Sequence, residues 1–329
     1  MVGRLWNDNA DAWTKLARAG YDVYRDYLNT PAFFEALPRV AGLSGLDVGC
    51  GEGHNTRLLA KRGARMTAVD ISEVFIRYAL ELEQQEPLGI DYRVASAVRL
   101  PFPDVTFDFA TGFMSLMDIP ETETVVSEVY RILRPGGFLQ FSICHPCFDT
   151  PYRRNLRDEK GRTYAIEVGD YFTNLNGQVT EWLFSAAPEE VKGRLPKFRV
   201  PRFTRTLSQW LNLLIDARFT IERVGEPRPA DETVRACPQV QDAQVVAHCL
   251  LVRVRKPSGG PTGEQRAAPE HRYAPCSTPP APRADRSPSH AIGRRSTSSA
   301  GLLARSSQHR ADRASVRHGL LAARLHRAC

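Results

Sequence analysis

Apolar positions along this chain keep two rhythms that alternate between residues 44 and 144. Short apolar runs end at Val48, Asp70, Ala95, Gly112 and Cys144, and stretches of helical spacing separate them. The runs predict strands, the last three over 90–95, 107–112 and 137–144; the intervening spacing predicts helices over 54–61, 72–83 and 121–133. Arg62-Gly63 stops the first helix and Ser72 can cap the second. Strands alternating with helices of this length imply an α/β fold of the Rossmann-like, doubly wound kind, a mostly parallel sheet with helices on both faces.

Three segments fall outside that rhythm. Residues 6–40 are helical in pattern, with Trp13, Leu16, Tyr21, Tyr24 and Phe33 as apolar bulk and Pro31 and Pro38 as breaks. Residues 1–40 therefore read as an N-terminal helical lid. After Cys144 the pattern stops for about sixty residues, yet aromatics such as Tyr152, Tyr171, Phe172, Trp182 and Phe198 argue against disorder there. An insertion over 146–205 that caps a substrate site is the expectation, within a domain spanning 41–256. Helical spacing returns at 208–216, and apolar runs over 219–224 and 245–254 predict two more strands.

From Pro257 the composition changes to Ala, Arg, Ser and Pro, without Phe, Trp, Lys, Asn or Met. Such a segment buries too little apolar surface to offset the entropy of ordering, and 257–329 is expected to be disordered. The missing residue types are mostly those with AT-rich codons, so the tail reads as a shifted frame of GC-rich DNA; an Arg-rich arm for nucleic acid or membrane is the alternative.

The chemistry concentrates at Leu46-Asp47-Val48-Gly49-Cys50-Gly51-Glu52-Gly53, a glycine-rich turn closing a strand, with Asp70 ending the next strand. Glycines let such a turn approach a ligand closely, and an acid at the tip of the second strand accepts hydrogen bonds from ribose hydroxyls. A nucleoside is implied. A dinucleotide site would need a third glycine where His54 stands, and Asp47 would repel a pyrophosphate. An acid at that place suits a cationic ligand.

The turn resembles the first motif of class I S-adenosylmethionine-dependent methyltransferases. Leu100-Pro101-Phe102-Pro103-Asp104 with Phe107-Asp108, and Arg134-Pro135-Gly136-Gly137-Phe138, resemble later motifs of the same family in order and spacing. Met114-Ser115-Leu116-Met117-Asp118 and His145-Pro146-Cys147-Phe148 are similar to a type 11 bacterial branch acting on small molecules. The resemblance implies S-adenosyl-L-methionine as cofactor, with Asp47, Gly49, Cys50, Gly51 and Gly53 near its methionine end. It further implies Asp70 on the ribose, Ile71 against adenine, Ser96 or Ala97 at the adenine amino edge, and Gly112 and Phe113 beside the methionine. It makes the two late strands the closing antiparallel hairpin of the sheet. Relatives place glycine before that hairpin, where this chain has Arg218, so another helix-end geometry is expected.

Methyl transfer from a sulfonium is an in-line displacement that needs alignment and exclusion of water more than any fixed catalytic residue. On the acceptor side, Asp118 and His145 fall where open α/β sheets place their sites, and either could take a proton from a hydroxyl. Met117, Tyr171, Trp182, Arg205 and Tyr24 are the candidate substrate contacts, with Trp13 also closing over the cofactor. The alternative is strand-end hydrogen bonding for His145, capping of the helix over 121–133 for Asp118, packing for the other acceptor-side candidates, and capping of the next helix for Asp47 and Asp70.

Charge and cysteines narrow the partners. The net +7 is uneven: 257–329 hold 12 Arg and 4 acids, a net of +8, leaving −1 for 1–256. A nearly neutral domain argues against tracking along phosphates, and the stretch Thr111-Gly112-Phe113-Met114 lacks the Asp/Asn-Pro-Pro-aromatic motif of amino-directed nucleic-acid methyltransferases. Non-specific nucleic-acid contact is left to the basic tail. The seven cysteines are scattered, Cys144-His145-Pro146-Cys147 has no second cluster to complete a zinc site, and no metal is expected. No run is long enough to span a membrane, so a cytoplasmic enzyme acting on a small molecule is the reading. A nucleic-acid or protein methyltransferase, and a catalytically silent cofactor-binding member, are the rivals; a nicotinamide oxidoreductase is disfavoured by the glycine spacing.

Overall fold

The computed structural model describes residues 1–259, so the tail beyond Gly259 lies outside the described residues. The chain opens with α1 (Val2–Arg18), breaks at Gly20, and passes through a π-helical turn at Arg25–Asn29 into α2 (Thr30–Ala36). Then come β1 (Ser44–Val48), α3 (His54–Lys61), β2 (Arg65–Asp70), α4 (Glu73–Gln85), β3 (Asp91–Val94), β4 (Phe107–Phe113), α5 (Thr122–Ile132) and β5 (Leu133–Cys144). Two hairpins follow, β6 (Tyr152–Arg157) with β7 (Thr163–Gly169), and β8 (Gln178–Trp182) with β9 (Phe198–Arg202), the second enclosing the short α6 (Glu189–Lys192). The chain continues through α7 (Leu207–Asp216), β10 (Thr220–Gly225), α8 (Asp231–Ala236) and β11 (Cys249–Arg255).

One seven-stranded sheet organises the molecule in the order β10-β11-β5-β4-β1-β2-β3. The five strands from β5 to β3 are parallel, and β11 pairs antiparallel with both β5 and β10. This is the doubly wound, Rossmann-like sheet expected from the alternating pattern. Helices cover both faces because alternate strand residues are apolar in each direction. Val48, Ala110, Leu139 and Phe141 meet Val125, Val129 and Leu214 on one face, whereas Met66, Ala68, Phe109 and Phe138 meet Leu59, Ile76 and Ala79 on the other. Gly45 lies beside Phe109, whose ring overlaps any Cβ built there, so the strand centre needs glycine for packing.

Ser72 caps α4 as its sequence position implied, its Oγ accepting from the Phe75 N–H at 3.2 Å. Several boundaries move. The first helix begins at Val2, and β5 starts at Leu133 because β4 reaches back to pair Phe107 with Leu133 before a register shift. The last strand begins at Cys249 rather than 245, and α8 with a 3-10 turn over Pro238–Gln244 separates it from β10, so the antiparallel partners are not a tight hairpin. At the end of α7, Arg218 itself adopts the left-handed conformation (φ 67°) that favours glycine, in place of another geometry.

The N-terminal helix is wedged between α4 of the sheet domain and the β8–β9 hairpin. Its Asn9 hydrogen-bonds both backbone groups of Arg199 on β9, at 3.0 and 2.8 Å, while Asn7 Oδ1 accepts from Ser72 Oγ at 2.7 Å at the head of α4. Trp13 on the same helix sits edge-on among Trp6, Trp182 and Phe184 and tilted against Phe198, with ring centroids 4.8–5.7 Å away.

Candidate functional site

The turn after β1 is held from beneath and open above. Gly49, Gly51 and Gly53 all have positive φ, of 71°, 54° and 87°. A Cβ at Gly49 would come within 2.5 Å of Ser115 Cβ, and one at Gly53 within 2.5 Å of the Tyr92 hydroxyl oxygen, so both are glycine for close packing. Gly51 has no atom within 4 Å of its would-be Cβ and faces a cavity. A side chain at Gly51 would fill the space the turn leaves for a ligand.

Two buried acids fix this turn. Asp70 accepts from the Gly51 N–H and the Ser72 N–H, both at 2.8 Å, tying the glycine loop to the tip of β2. Asp47 accepts from Thr56 Oγ1 at 2.5 Å and Thr111 Oγ1 at 2.8 Å. Burial pushes the Asp47 carboxyl up to about 6 against the pull of its two threonine partners, with Asp70 raising it further, and burial likewise raises that of Asp70. Neither acid caps a helix by its side chain: α3 has Gly53 at its N-cap and no side-chain cap, and Ser72 caps α4. Two carboxylates costly to bury favour a ligand that brings positive charge to them.

The cavity measures about 940 Å³. Ligand sites commonly measure roughly 300–1,000 Å³, so this cavity stands at the upper end of that range and is large enough for a nucleoside-bearing cofactor. Of the residues singled out in the sequence, the cofactor candidates Asp47, Gly49, Cys50, Gly51, Asp70, Ile71, Ser96, Ala97 and Phe113 and the acceptor candidates Tyr24, Met117, Asp118, Tyr171, Trp182 and Arg205 all line it. Gly53, Gly112 and His145 do not line it. Gly112 packs within 3.3 Å of Leu116 and Ser115 at its would-be Cβ. His145 is buried with both ring nitrogens engaged, Nε2 2.8 Å from Glu226 Oε1 and Nδ1 accepting from the Cys147 N–H at 3.2 Å. That histidine ties the loop after β5 to the segment after β10 instead of facing the cavity.

Asp118 behaves differently. Its carboxyl faces the cavity and no described residue hydrogen-bonds to it; burial raises it to about 8, Asp149 adding to the rise and Arg202 opposing it. Asp149 and Arg202 form an ion pair at 2.6 Å on the same wall. Arg205 is held by the Pro120 carbonyl at 2.9 Å and by Glu123, with its guanidinium over the Trp210 ring. Tyr171 donates no bond into the cavity; its hydroxyl oxygen accepts from the Leu207 N–H at 2.8 Å.

Three lining residues carry chemistry that sequence reasoning passed over. Arg25 joins Asp26 at 2.7 Å and Glu52 at 3.6 Å, so the lid segment reaches the glycine turn itself. His54, at the head of α3, has its imidazole pushed down by burial and by Arg25. His248 precedes β11 and enters the cavity beside the tip of β5, since Cys249 pairs with Cys144. Nothing in its local sequence marks His248, because only the antiparallel insertion of β11 brings it there.

Comparison with known proteins fits this geometry. Residues 46–141 match a family model described as a methyltransferase domain. That match runs from β1 into β5 and takes in the glycine turn. A solved S-adenosylmethionine-dependent methyltransferase from Mesorhizobium loti is 29% identical, covers 68% of this chain and 96% of its own, and superposes with a TM-score of 0.55. A ubiquinone biosynthesis O-methyltransferase of Coxiella burnetii is 31% identical over 44% of this chain and 56% of its own length; the chain thus spans about half of that curated relative. A fatty-acid O-methyltransferase of Mycolicibacterium smegmatis is 33% identical over 36% of this chain and 44% of its own. The matched segment, the core of the sheet domain, contains the glycine turn, Asp70, Phe113 and Asp118. Tyr24, Tyr171, Trp182, Arg205 and His248 come from outside it, so the cavity is completed by the segments flanking the domain. Among the described residues, no helix is long and apolar enough to cross a membrane and no group of His, Cys, Asp or Glu is placed to hold a metal ion.

Proposed function

We propose that the chain transfers a methyl group from S-adenosyl-L-methionine to an oxygen on a small-molecule acceptor. The observation that carries this reading is the shared cavity, lined by the open Gly51 cradle and Asp70 as well as by Asp118, whose carboxyl has no hydrogen-bond partner among the described residues. The O-methyltransferase relatives support oxygen as the accepting atom. The residues present fit this cofactor. Asp70 keeps lone pairs for ribose hydroxyls beyond its two backbone bonds, Ile71 and Ala97 offer apolar contact to adenine, and Asp47 gives a fixed negative charge near a cation.

When bound, the cofactor supplies an electrophilic methyl group on a sulfonium centre. The chain's part is alignment and exclusion of water. Phe113 and Met117 contribute apolar wall to the same cavity. Asp118, largely protonated at neutral pH, can donate a hydrogen bond that orients the acceptor. Residues 1–40 act as a lid over the cofactor and 146–205 as the substrate cap, meeting at the Trp13 cluster. A cytoplasmic location agrees with this role. The test is direct: calorimetry should show S-adenosylhomocysteine binding, and labelled S-adenosylmethionine incubated with a metabolite panel should pass label to a hydroxylated compound. Binding without any transfer to oxygen would replace the reading with that of a silent cofactor-binding member.

A further inference from the structure

The cavity wall contains an imidazole that the reading above leaves unused. His248 lies where the end of β5 meets the start of β11, and its own backbone carbonyl accepts from the His145 N–H at 3.0 Å, fixing the main chain. Its ring stacks on Tyr24, centroids 3.9 Å apart and planes within 17°. Tyr24 is itself fixed, its hydroxyl donating to Asp242 Oδ1 at 2.5 Å, while Asn155 donates to Asp242 Oδ2 at 3.0 Å and Arg153 approaches the same oxygen at 3.4 Å. A ring clamped by its backbone and by an anchored aromatic face has little rotational freedom. No described residue hydrogen-bonds to the His248 ring nitrogens, and the residue lines the cavity.

We infer that His248 is the general base for the acceptor, and that Tyr24, through the stack, is the residue that positions it. The inference rests on the methyl-transfer reading. In the step, the acceptor O–H bond breaks and its proton passes to a free ring nitrogen of His248. The oxygen's electron pair forms the bond to the methyl carbon, and the pair of the broken carbon–sulfur bond stays on sulfur. The role requires an imidazole that is neutral at working pH. Burial and Arg153 on β6 favour the neutral form, outweighing Asp242 on the 3-10 turn and Asp149 in the loop after β5. His248 thus takes the part that the sequence offered to His145, its neighbour along the same β5–β11 seam.

Two measurements test this. In the full chain complexed with S-adenosylhomocysteine, diethyl pyrocarbonate should modify His248 while sparing His145, and the His248 ring resonances should titrate below the ordinary histidine value of about 6.5. Tyr24→Ala should alter both readouts more than Tyr24→Phe, which keeps the aromatic face. Resistance of His248 to modification, or a ring already charged at pH 7, overturns the proposal without touching the cofactor reading. With simple phenols as probe acceptors and labelled S-adenosylmethionine, His248→Gln should lower transfer by roughly 100-fold or more and abolish the acid limb of the pH–rate profile, with S-adenosylhomocysteine affinity preserved. Equal rates in His248→Gln and the parent chain would also sink it. Failure of the parent chain to bind S-adenosylhomocysteine at all would instead remove the methyl-transfer reading.

Discussion

Replacing Asp47 by Asn should make the ligand-free protein more stable at neutral pH while weakening its hold on a cationic cofactor. Asp47 is only 1% exposed, and its carboxyl sits near 6 in the folded chain against 3.8 for the free side chain. Between those values the folded state holds a proton that the unfolded chain has released. Stability therefore falls as pH rises through that window, and the loss is complete above it. Each pH unit of difference is worth about 1.4 kcal/mol, so ionising Asp47 in place costs about 3 kcal/mol. Asparagine has nearly the same shape and carries no charge, and the Thr56 and Thr111 hydroxyls can rotate to serve it. The stability gap between the Asp47→Asn variant and the parent protein should widen by about 2.4 kcal/mol from pH 4 to pH 7.5, the rest of the cost being already present at pH 4, equivalent to roughly 5–10 °C in midpoint for a domain of this size. Urea unfolding followed by circular dichroism at several pH values reads it. Calorimetry supplies the second arm: Asp47→Asn should lose more affinity for S-adenosylmethionine, whose sulfur is positive, than for S-adenosylhomocysteine. Parallel stability curves for the two proteins from pH 4 to 7.5 would refute the argument, since they would mean that ionising the buried carboxyl costs the fold nothing.

Three further substitutions probe other parts of the site. Asp70→Ala removes the acceptor for Gly51 and Ser72 as well as the ribose contact, and should weaken S-adenosylhomocysteine binding roughly ten- to a hundredfold, about 1.5–3 kcal/mol; unchanged affinity by calorimetry disproves the ribose assignment. Gly49→Ala forces a Cβ to within 2.5 Å of Ser115 at a φ of 71°, and thermal unfolding should show a loss of about 1–3 kcal/mol, a neutral result ruling out the tight contact. Trp13→Ala empties the centre of the aromatic cluster joining α1 to the β8–β9 hairpin, costing about 3–5 kcal/mol and opening residues 1–20 to limited proteolysis; protection equal to that of the parent chain would show that Trp13 does not hold the lid.

The sheet and its glycine turn were legible in the sequence because both depend on local signals. Period-two and period-3.6 patterns set the strands and helices from Ser44 to Cys144, and the positions of Asp47 and Asp70 relative to the glycines survive in the cavity wall. The acceptor end depends on contacts far apart in sequence. His145 was singled out for lying at a strand tip, but the strand's exit direction turns its ring toward Glu226, whereas His248 arrives from a strand read as starting four residues earlier. The run Val245-Val246-Ala247 looks like strand by composition; backbone bonds from Val245 and Val246 back to Asp242 instead keep it in a turn. Residues 146–205 gave no period because their two short hairpins pack partly on α1 and partly against the sheet domain, so each strand has mixed exposure.

The position of β11 has a consequence for how the chain is made. It is the last strand described, yet it fills an interior slot between β5 and β10. About a hundred residues separate Cys144 from its partner Cys249, which at about 5–20 residues per second is roughly 5–20 s of synthesis. Throughout that interval the edge of β5, with Phe138, Leu139, Phe141 and Ile143 along it, has no strand beside it on that side and can pair with another nascent chain. Yield in a cell should therefore depend on chaperone supply and translation speed, even for substitutions far from the cavity that leave the finished fold unchanged.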